Sequence, residues 1–182
     1  PSYTINNIEI ENGFLYLNEG GFLILNITNP SLPKIVKKAT NVPPGNDFKI
    51  KDGYLYLAVQ NKTYIYYLSN LTQVGVYTSP YSDFYIETIE VENDFLFLKE
   101  WADRLLIVNV TDKSEPKTAG EYEYEYGTFG IAVRDNTVYV STYDQGSVLS
   151  ILDVTNKSNP KEVGTLRGIY FKKAILRGDY AY

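Results

Sequence analysis

The sequence predicts an all-β protein built from four-stranded antiparallel sheets that are arranged around an axis as the blades of a β-propeller. Three observations predict this fold. A pattern of strands recurs about every 41 to 44 residues along the 182-residue chain. Turn residues that tolerate positive φ interrupt each copy at matching places. The strands between these turns are apolar on both faces, so each sheet must be covered on both sides.

Each repeat begins with two strands around a two-residue turn. The copies are residues 10–17 (IENGFLYL), 50–57 (IKDGYLYL), 91–98 (VENDFLFL) and 133–140 (VRDNTVYV), and a fifth begins at 176. Asn, Asp and Gly occupy the turn in nearly every copy, and these are the residues that tight hairpin turns favour. We therefore expect an antiparallel hairpin at the start of every repeat.

The third strand carries the clearest repeat. Residues 23–28 (LILNIT) recur as 106–111 (LIVNVT) and 150–155 (SILDVT), and a divergent copy (IYYLS) lies at 65–69. A Ser-x-Pro-Lys segment follows in three of the four copies. Because proline cannot donate to a central strand ladder, we expect this segment to end the third strand, and a fourth strand to follow.

The spacing predicts repeats over about 1–46, 47–86, 87–129 and 130–171, with the start of a fifth over 172–182. Four complete units and half of another do not close a ring. We therefore expect this sequence to be part of a larger propeller with five or more blades. The alternative is that a neighbouring subunit supplies the missing strands.

Several residue types that carry enzyme chemistry are missing, since the chain contains no Cys, His or Met. Without Cys there is no thiolate nucleophile, disulfide or zinc–thiolate site. Without His there is no Ser-His-Asp triad and no imidazole metal ligand. No calcium-loop or phosphate-loop motif occurs either. The sequence therefore predicts no cofactor and favours a non-enzymatic role.

Charge and hydropathy restrict the partners. The formal net charge is −5, and Lys and Arg form no basic run, which argues against nucleic-acid binding. No apolar stretch is long enough to span a bilayer. We expect the partners to be other protein subunits or surface glycans, and we include a homo-oligomer or filament among the alternatives.

The third-strand pattern, followed by Ser-x-Pro-Lys and a small-Gly pair at 119–120 and 163–164, resembles the LVIVD-repeat family of β-propellers. It is similar, more loosely, to the YVTN-type propellers of cell surfaces. The resemblance implies blade-like folding and an extracellular or envelope setting, and it brings no shared catalytic residues. Because propellers host different activities, it leaves the function open.

Five Asn-x-Ser/Thr sequons are candidates for N-glycosylation, which would indicate export. At two of them the asparagine also occupies a repeat position that favours a turn, so a purely structural role is the alternative there. The high Tyr content and the missing Cys and Met fit the surface of a thermophilic prokaryotic cell. The candidate glycosylation sites are Asn26, Asn61, Asn70, Asn109 and Asn156.

Loops between the second and third strands share one rim of a propeller with the loops between blades. Aromatic side chains beside carboxylates on such a rim suit sugar or peptide recognition, because ring faces stack while Asp and Glu accept hydrogen bonds. The alternative is that the single tryptophan packs against its own blade. The rim candidates are Trp101, Glu100, Asp103, Tyr143, Asp144, Tyr81 and Asp83.

Three functions remain open from the sequence. The first is a non-enzymatic, exported surface propeller for adhesion, envelope architecture or filament assembly. The second is a propeller that binds a sugar or peptide on the rim around Trp101. The third is a carbohydrate-active hydrolase with paired carboxylates at the mouth of the central channel.

Overall fold

The described part of the protein, in a computed structural model, comprises residues 7–101, 103–124, 127–143, 147–168, 176–178 and 180–181. Throughout these ranges the chain forms strands and turns and contains no helix. Four sheets of four antiparallel strands follow one another along the chain. The all-β propeller predicted from the sequence is confirmed.

Each blade consists of four strands paired in chain order. Blade 1 contains β1 to β4, which are Ile8–Glu11, Phe14–Asn18, Phe22–Asn26 and Lys34–Ala39. Blade 2 contains β5 to β8, which are Asp47–Lys51, Tyr54–Val59, Lys62–Tyr67 and Gln73–Thr78. Blade 3 contains β9 to β12, which are Ile86–Glu92, Phe95–Glu100, Arg104–Asn109 and Lys117–Glu123. Blade 4 contains β13 to β16, which are Thr128–Arg134, Thr137–Tyr143, Ser147–Asp153 and Lys161–Arg167.

A short fifth hairpin follows blade 4. It is formed by β17 (Leu176–Arg177) and β18 (Tyr180–Ala181), which pair antiparallel. Strand β17 contacts β13, as β13 contacts β9 and β9 contacts β5. The first strands of successive blades are therefore neighbours around the propeller axis, and the fifth hairpin continues that series.

The first turn of each blade has the backbone conformation expected from its sequence. Asn12, Asp52, Asn93 and Asp135 have φ between 50° and 52°. Asn and Asp tolerate this left-handed region better than other residues with a Cβ, because their short side chains can bond locally. The turn residues therefore determine where each hairpin reverses.

The third strands end earlier than the sequence predicts. Strands β3 and β11 end at Asn26 and Asn109, the Ser-x-Pro residues lie in the turn that follows, and the lysine of each segment begins the fourth strand. Asn26 Oδ1 accepts a hydrogen bond of 2.9 Å from the backbone N of Thr28, and Asn109 Oδ1 accepts one of 2.8 Å from Thr111. This local turn leaves the ladder before the proline is reached.

The apolar core lies between blades, at interfaces here called seams. Seam 1/2 buries Tyr16, Phe22, Ile24, Ala39, Val42, Phe48, Leu55, Leu57, Tyr66 and Leu71. Seam 2/3 buries Tyr56, Ala58, Ile65, Tyr77, Ile86, Ile89, Leu96, Leu98, Leu106, Val108 and Val110. Seam 3/4 buries Phe97, Leu105, Ile107, Ile131, Val138, Val140, Leu152 and Val154. Both faces of the middle blades are thus covered, which explains strands that are apolar on both sides.

A glycine in the fourth strand lets the next blade approach closely. A Cβ at Gly75 would overlap the carbonyl oxygen of Lys113 in blade 3, and a Cβ at Gly120 would overlap that of Lys157 in blade 4. Among the described residues, a Cβ at Gly164, the matching position of blade 4, would have Ile151 Cδ1 of its own blade as its nearest neighbour, at 3.8 Å. Gly75 and Gly120 are therefore seam contacts.

Polar groups on the first strands connect three blades near the axis. Asp47 accepts hydrogen bonds from Asn7 of blade 1, at 2.5 Å, and from the backbone N of Ile89 of blade 3, at 2.9 Å. Lys49 forms ion pairs with Glu9 of blade 1, at 3.1 Å, and with Glu90 of blade 3. These bonds hold neighbouring first strands together where the sheets are closest.

No helix in the described ranges has the length and hydropathy to cross a membrane.

Candidate functional site

A surface cleft of about 500 Å³ lies at one end of seam 2/3. Its described lining residues are Asn46, which precedes β5, Tyr85, which precedes β9, Glu87, which lies in β9, and Trp101, which follows β10. First strands begin and second strands end at this end of a blade. The cleft therefore lies on the rim where the sequence predicts a ligand.

Two aromatic rings form one wall of the cleft. The rings of Tyr85 and Trp101 have centroids 6.3 Å apart and planes 25° apart, which is a stacked arrangement. Trp101 is 63% exposed and Tyr85 is 47% exposed. The backbone N of Trp101 donates a 3.0 Å hydrogen bond to the carbonyl oxygen of Tyr85. The pair is a supported apolar surface open to solvent.

A β-bulge positions Glu87 in this cleft. Lys99 pairs with Thr88 and Glu100 pairs with Ile86, so Glu87 is the extra residue on β9. Bulges redirect side chains and are common next to functional sites. The Glu87 carboxylate forms an ion pair with Lys99, whose side chain is only 2% exposed. A buried cation therefore fixes a carboxylate that faces the solvent.

Asn46 joins blade 2 to blade 3 at the cleft. Its Nδ2 donates a 3.0 Å hydrogen bond to the carbonyl oxygen of Ile86. The backbone N of Ile86 donates to the carbonyl oxygen of Gln60, at 2.8 Å. Both backbone groups of Ile86 at the edge of β9 are therefore bonded to blade 2.

The structure places Glu100 differently from the sequence prediction. Its side chain is fully buried in seam 2/3, on the same face of β10 as Leu96 and Leu98. Burial raises the pKa of Glu100, and the charge of Arg104 opposes this shift. Its prediction as a surface ligand residue is wrong, because alternation along β10 directs it into the seam.

Tyr81 and Asp103 make contacts within the protein. The Tyr81 ring lies 3.5 Å from the Arg104 guanidinium, and its hydroxyl donates to Glu121 at 2.8 Å. Asp103 Oδ1 accepts a 2.9 Å hydrogen bond from the backbone N of Thr128 in blade 4. Both side chains therefore stabilise seams as well as lying near the rim.

The other rim candidates divide into two groups. Asp83 is exposed and accepts a hydrogen bond from Ser82 Oγ at 3.2 Å. Tyr143 is the last residue of β14, and its side chain lies outside the described part of the chain, as does all of Asp144. The structure thus brings Trp101 to the cleft and leaves Asp83 outside its described lining.

Three cleft residues were missed by the sequence reasoning, namely Asn46, Tyr85 and Glu87. Tyr85 follows the predicted rim segment 81–83 closely, so an extension of that segment would have included it. Asn46 directly precedes β5 and Glu87 is the bulge residue of β9, and no local pattern marks them as polar lining. Only the stacking of blades 2 and 3 brings the two together.

The sequons differ in exposure. Asn70 and Asn156 are exposed, and each Oδ1 accepts a hydrogen bond from the backbone N two residues later. Asn26, Asn61 and Asn109 are half-buried. Exposure favours Asn70 and Asn156 as the acceptors that a modifying enzyme can reach.

Within the ranges described, no group of three or more acidic side chains is arranged to hold a metal ion.

Comparison with known families identifies three matching stretches. The LVIVD repeat matches residues 5–40, 85–123 and 128–167, which together make up more than half of the chain. This protein belongs to the LVIVD-repeat family. Blade 2 lies outside the matched stretches, in agreement with its divergent third strand and its missing Ser-x-Pro-Lys segment.

A similar solved structure is a protein described as functionally unknown from Desulfotomaculum acetoxidans DSM 771. The two share 13% sequence identity with a TM-score of 0.74. The match covers 92% of this chain and 57% of the other, so the similarity concerns the fold and extends over part of a longer protein. No curated protein matches the chain.

Proposed function

We propose that this protein is a non-enzymatic recognition propeller, exported to the cell surface, which binds a saccharide or peptide ligand in the cleft between blades 2 and 3. The exposed Tyr85–Trp101 pair carries the proposal. Large aromatic side chains are costly to leave in water, and a supported aromatic wall beside a few polar groups is typical of ligand sites. The neighbouring carboxylate and carboxamide supply directional hydrogen bonds.

The single tryptophan makes the proposal directly testable, because Trp101 is the only indole in the chain. A ligand stacked on it should shift its emission to shorter wavelength and protect it from acrylamide quenching. Trp101→Ala and Tyr85→Ala should each weaken binding at least about tenfold, measured by calorimetry. Tyr67→Ala, at an exposed tyrosine outside the described cleft lining, is the control. Equal losses in all three variants would contradict the proposal.

A separate experiment tests the proposal that the protein binds its ligand without cleaving it. Native protein incubated with a bound oligosaccharide or peptide should return it unchanged, as followed by mass spectrometry. Release of shortened products that is lost on Trp101→Ala would favour the carbohydrate-active or peptide-cleaving alternative.

Export is supported by the two exposed sequons. Glycopeptide mass spectrometry on the protein from its native source should find glycan on Asn70 or Asn156. The half-buried asparagines should be modified less. Unmodified asparagine at both exposed sequons would remove this support.

Assembly with other subunits is a second candidate function, since blade 1 presents an apolar face that either another subunit or a further blade of a longer chain would cover. Ile8 is 49% exposed, whereas Phe48 and Ile89, at the matching positions of blades 2 and 3, are fully buried. Exposed apolar faces mark interaction surfaces. Analytical ultracentrifugation of the native protein should show association that Ile8→Asp abolishes. A monomer at all concentrations would exclude self-assembly through this face.

A further inference from the structure

We infer that the cleft of seam 2/3 takes a neutral oligosaccharide and that Glu87 is the residue that selects it. The inference rests on the proposed function, since it names the ligand class of the same site.

The backbone around the cleft is unsuited to an extended peptide. Peptides that bind along a sheet need a strand edge with free N–H and C=O groups. At β9 the backbone N of Ile86 donates to Gln60, that of Ile89 donates to Asp47, and the carbonyl oxygen of Ile86 accepts from Asn46. These edge groups near the cleft are therefore already bonded to blade 2.

The aromatic wall has the shape that suits a sugar ring. Tyr85 and Trp101 stack with their ring planes 25° apart, and both remain about half exposed, so they present an open apolar surface instead of an enclosed hole for one side chain. The face of an aromatic ring carries partial negative charge and attracts the C–H groups on the flat side of a pyranose. The ring surface that the stack leaves open to solvent is where a sugar unit would pack.

The polar groups of the cleft favour a ligand whose hydroxyls donate hydrogen bonds. An ionised carboxylate is an acceptor only, and it forms stronger hydrogen bonds than a neutral group does. The ion pair with Lys99 keeps the Glu87 carboxylate in position at the cleft. Vicinal hydroxyls of a sugar supply the donors that such a carboxylate requires.

Charge argues against acidic sugars. Glu87 is the one charged side chain in the described lining, and Lys99 is too deeply buried to contact a ligand directly. The whole chain adds a formal net charge of −5. A uronate or sulfate group in the cleft would therefore meet a carboxylate and, in the described lining, no cationic side chain, so neutral saccharides are the favoured class.

The experiment compares three probe sets on the native protein, with Trp101 emission and calorimetry as readouts. The sets are neutral hexasaccharides of glucose, mannose, galactose and N-acetylglucosamine, the hexamer of galacturonic acid, and a random decapeptide pool. We expect at least one neutral hexasaccharide to bind and the galacturonate hexamer to bind at least about tenfold more weakly. Glu87→Gln should lower the affinity for the neutral hexasaccharide about tenfold or more, because a hydrogen bond to a charged acceptor is lost. Glu87→Asp should retain part of the affinity.

A second variant separates recognition from support of the fold, since Glu87→Gln leaves the buried Lys99 unpaired. The double variant Glu87→Gln, Lys99→Met removes both charges. If Glu87 contacts the sugar, the double variant binds as weakly as Glu87→Gln. If Glu87 only neutralises Lys99, binding returns in the double variant and the selective role is overturned.

The remaining outcomes distinguish the inference from the function on which it rests. Peptide binding that Trp101→Ala abolishes, with no neutral saccharide bound, overturns the inference and leaves the proposed binding function intact. Equal affinity for the galacturonate and neutral hexamers overturns the proposed selection of neutral over acidic sugars and leaves saccharide binding itself intact. Unchanged Trp101 emission with every probe set overturns both.

Discussion

Replacement of Gly120 by alanine should lower the stability of the folded protein, because it disturbs a single backbone contact between blades 3 and 4. The added Cβ would overlap the carbonyl oxygen of Lys157 and would lie 2.9 Å from both the Lys157 carbonyl carbon and Ser158 Cα. Ordinary contact begins at about 3.4 Å, so the two carbon contacts alone would require the seam to open by about 0.5 Å, and the overlap with the carbonyl oxygen requires more. A gap of about 0.5 to 1 Å forfeits about a quarter to a half of the dispersion attraction across it.

The expected loss is about 3 kcal/mol, at the upper end of the range for overpacking, because both partners are backbone and neither can rotate away. For a domain of this size, that loss corresponds to a fall of roughly 6 to 12 °C in Tm. Thermal and urea unfolding followed by circular dichroism measure it.

Gly164→Ala is the matched control. The position is equivalent in blade 4, but among the described residues the nearest atom to its Cβ would be Ile151 Cδ1 at 3.8 Å. Alanine at this position should raise the free energy of unfolding by about 0.5 kcal/mol, because it restricts the conformations of the unfolded chain and introduces no clash. If Gly120→Ala is as stable as Gly164→Ala, or if Gly164→Ala loses as much as Gly120→Ala, the account of the seam is wrong.

Two further predictions concern the charged groups near the axis. Burial raises the pKa of Glu90 to about 7, against the charge and hydrogen bond of Lys49. The folded state then holds more protons than the unfolded state between pH 4.5 and 7, so stability should fall by up to about 3 kcal/mol as the pH rises through this window. Urea titrations at pH 4.5 and 7 should show this fall in the native protein and a flatter dependence in Glu90→Gln. Asp47→Ala should cost about 3 kcal/mol, because it leaves the donors of Asn7 and Ile89 without their charged acceptor, whereas the exposed Asp83→Ala should cost under about 0.5 kcal/mol. Equal stability of these last two variants would disprove the role of Asp47.

The fold was predictable because its signals are local and repeated. The turn residues at 12–13, 52–53, 93–94 and 135–136 set the reversals, and the strands between them are apolar on both faces. Neither property depends on distant parts of the chain. The small-Gly pair at 119–120 was visible as a pattern, but the reason for Gly120 is the carbonyl group of the next blade, which only the stacking of blades brings there.

The candidate site was only partly predictable. Trp101 was found because a lone aromatic in a rim loop stands out in the sequence. Glu100, its neighbour, was assigned to the surface, yet alternation along β10 places it in the seam beside Leu98. Glu87 faces the cleft because of a bulge, which is a property of strand pairing and not of composition.

The amino-acid sequence by itself therefore determined the hairpins, the repeat and the need for every blade to be covered on both sides, because these follow from residues close together in the chain. Tertiary structure decided which side chains share a cleft. Asn46 and Trp101 belong to different blades, and the register between blades depends on contacts such as Asp47 with Ile89, which join residues about forty positions apart.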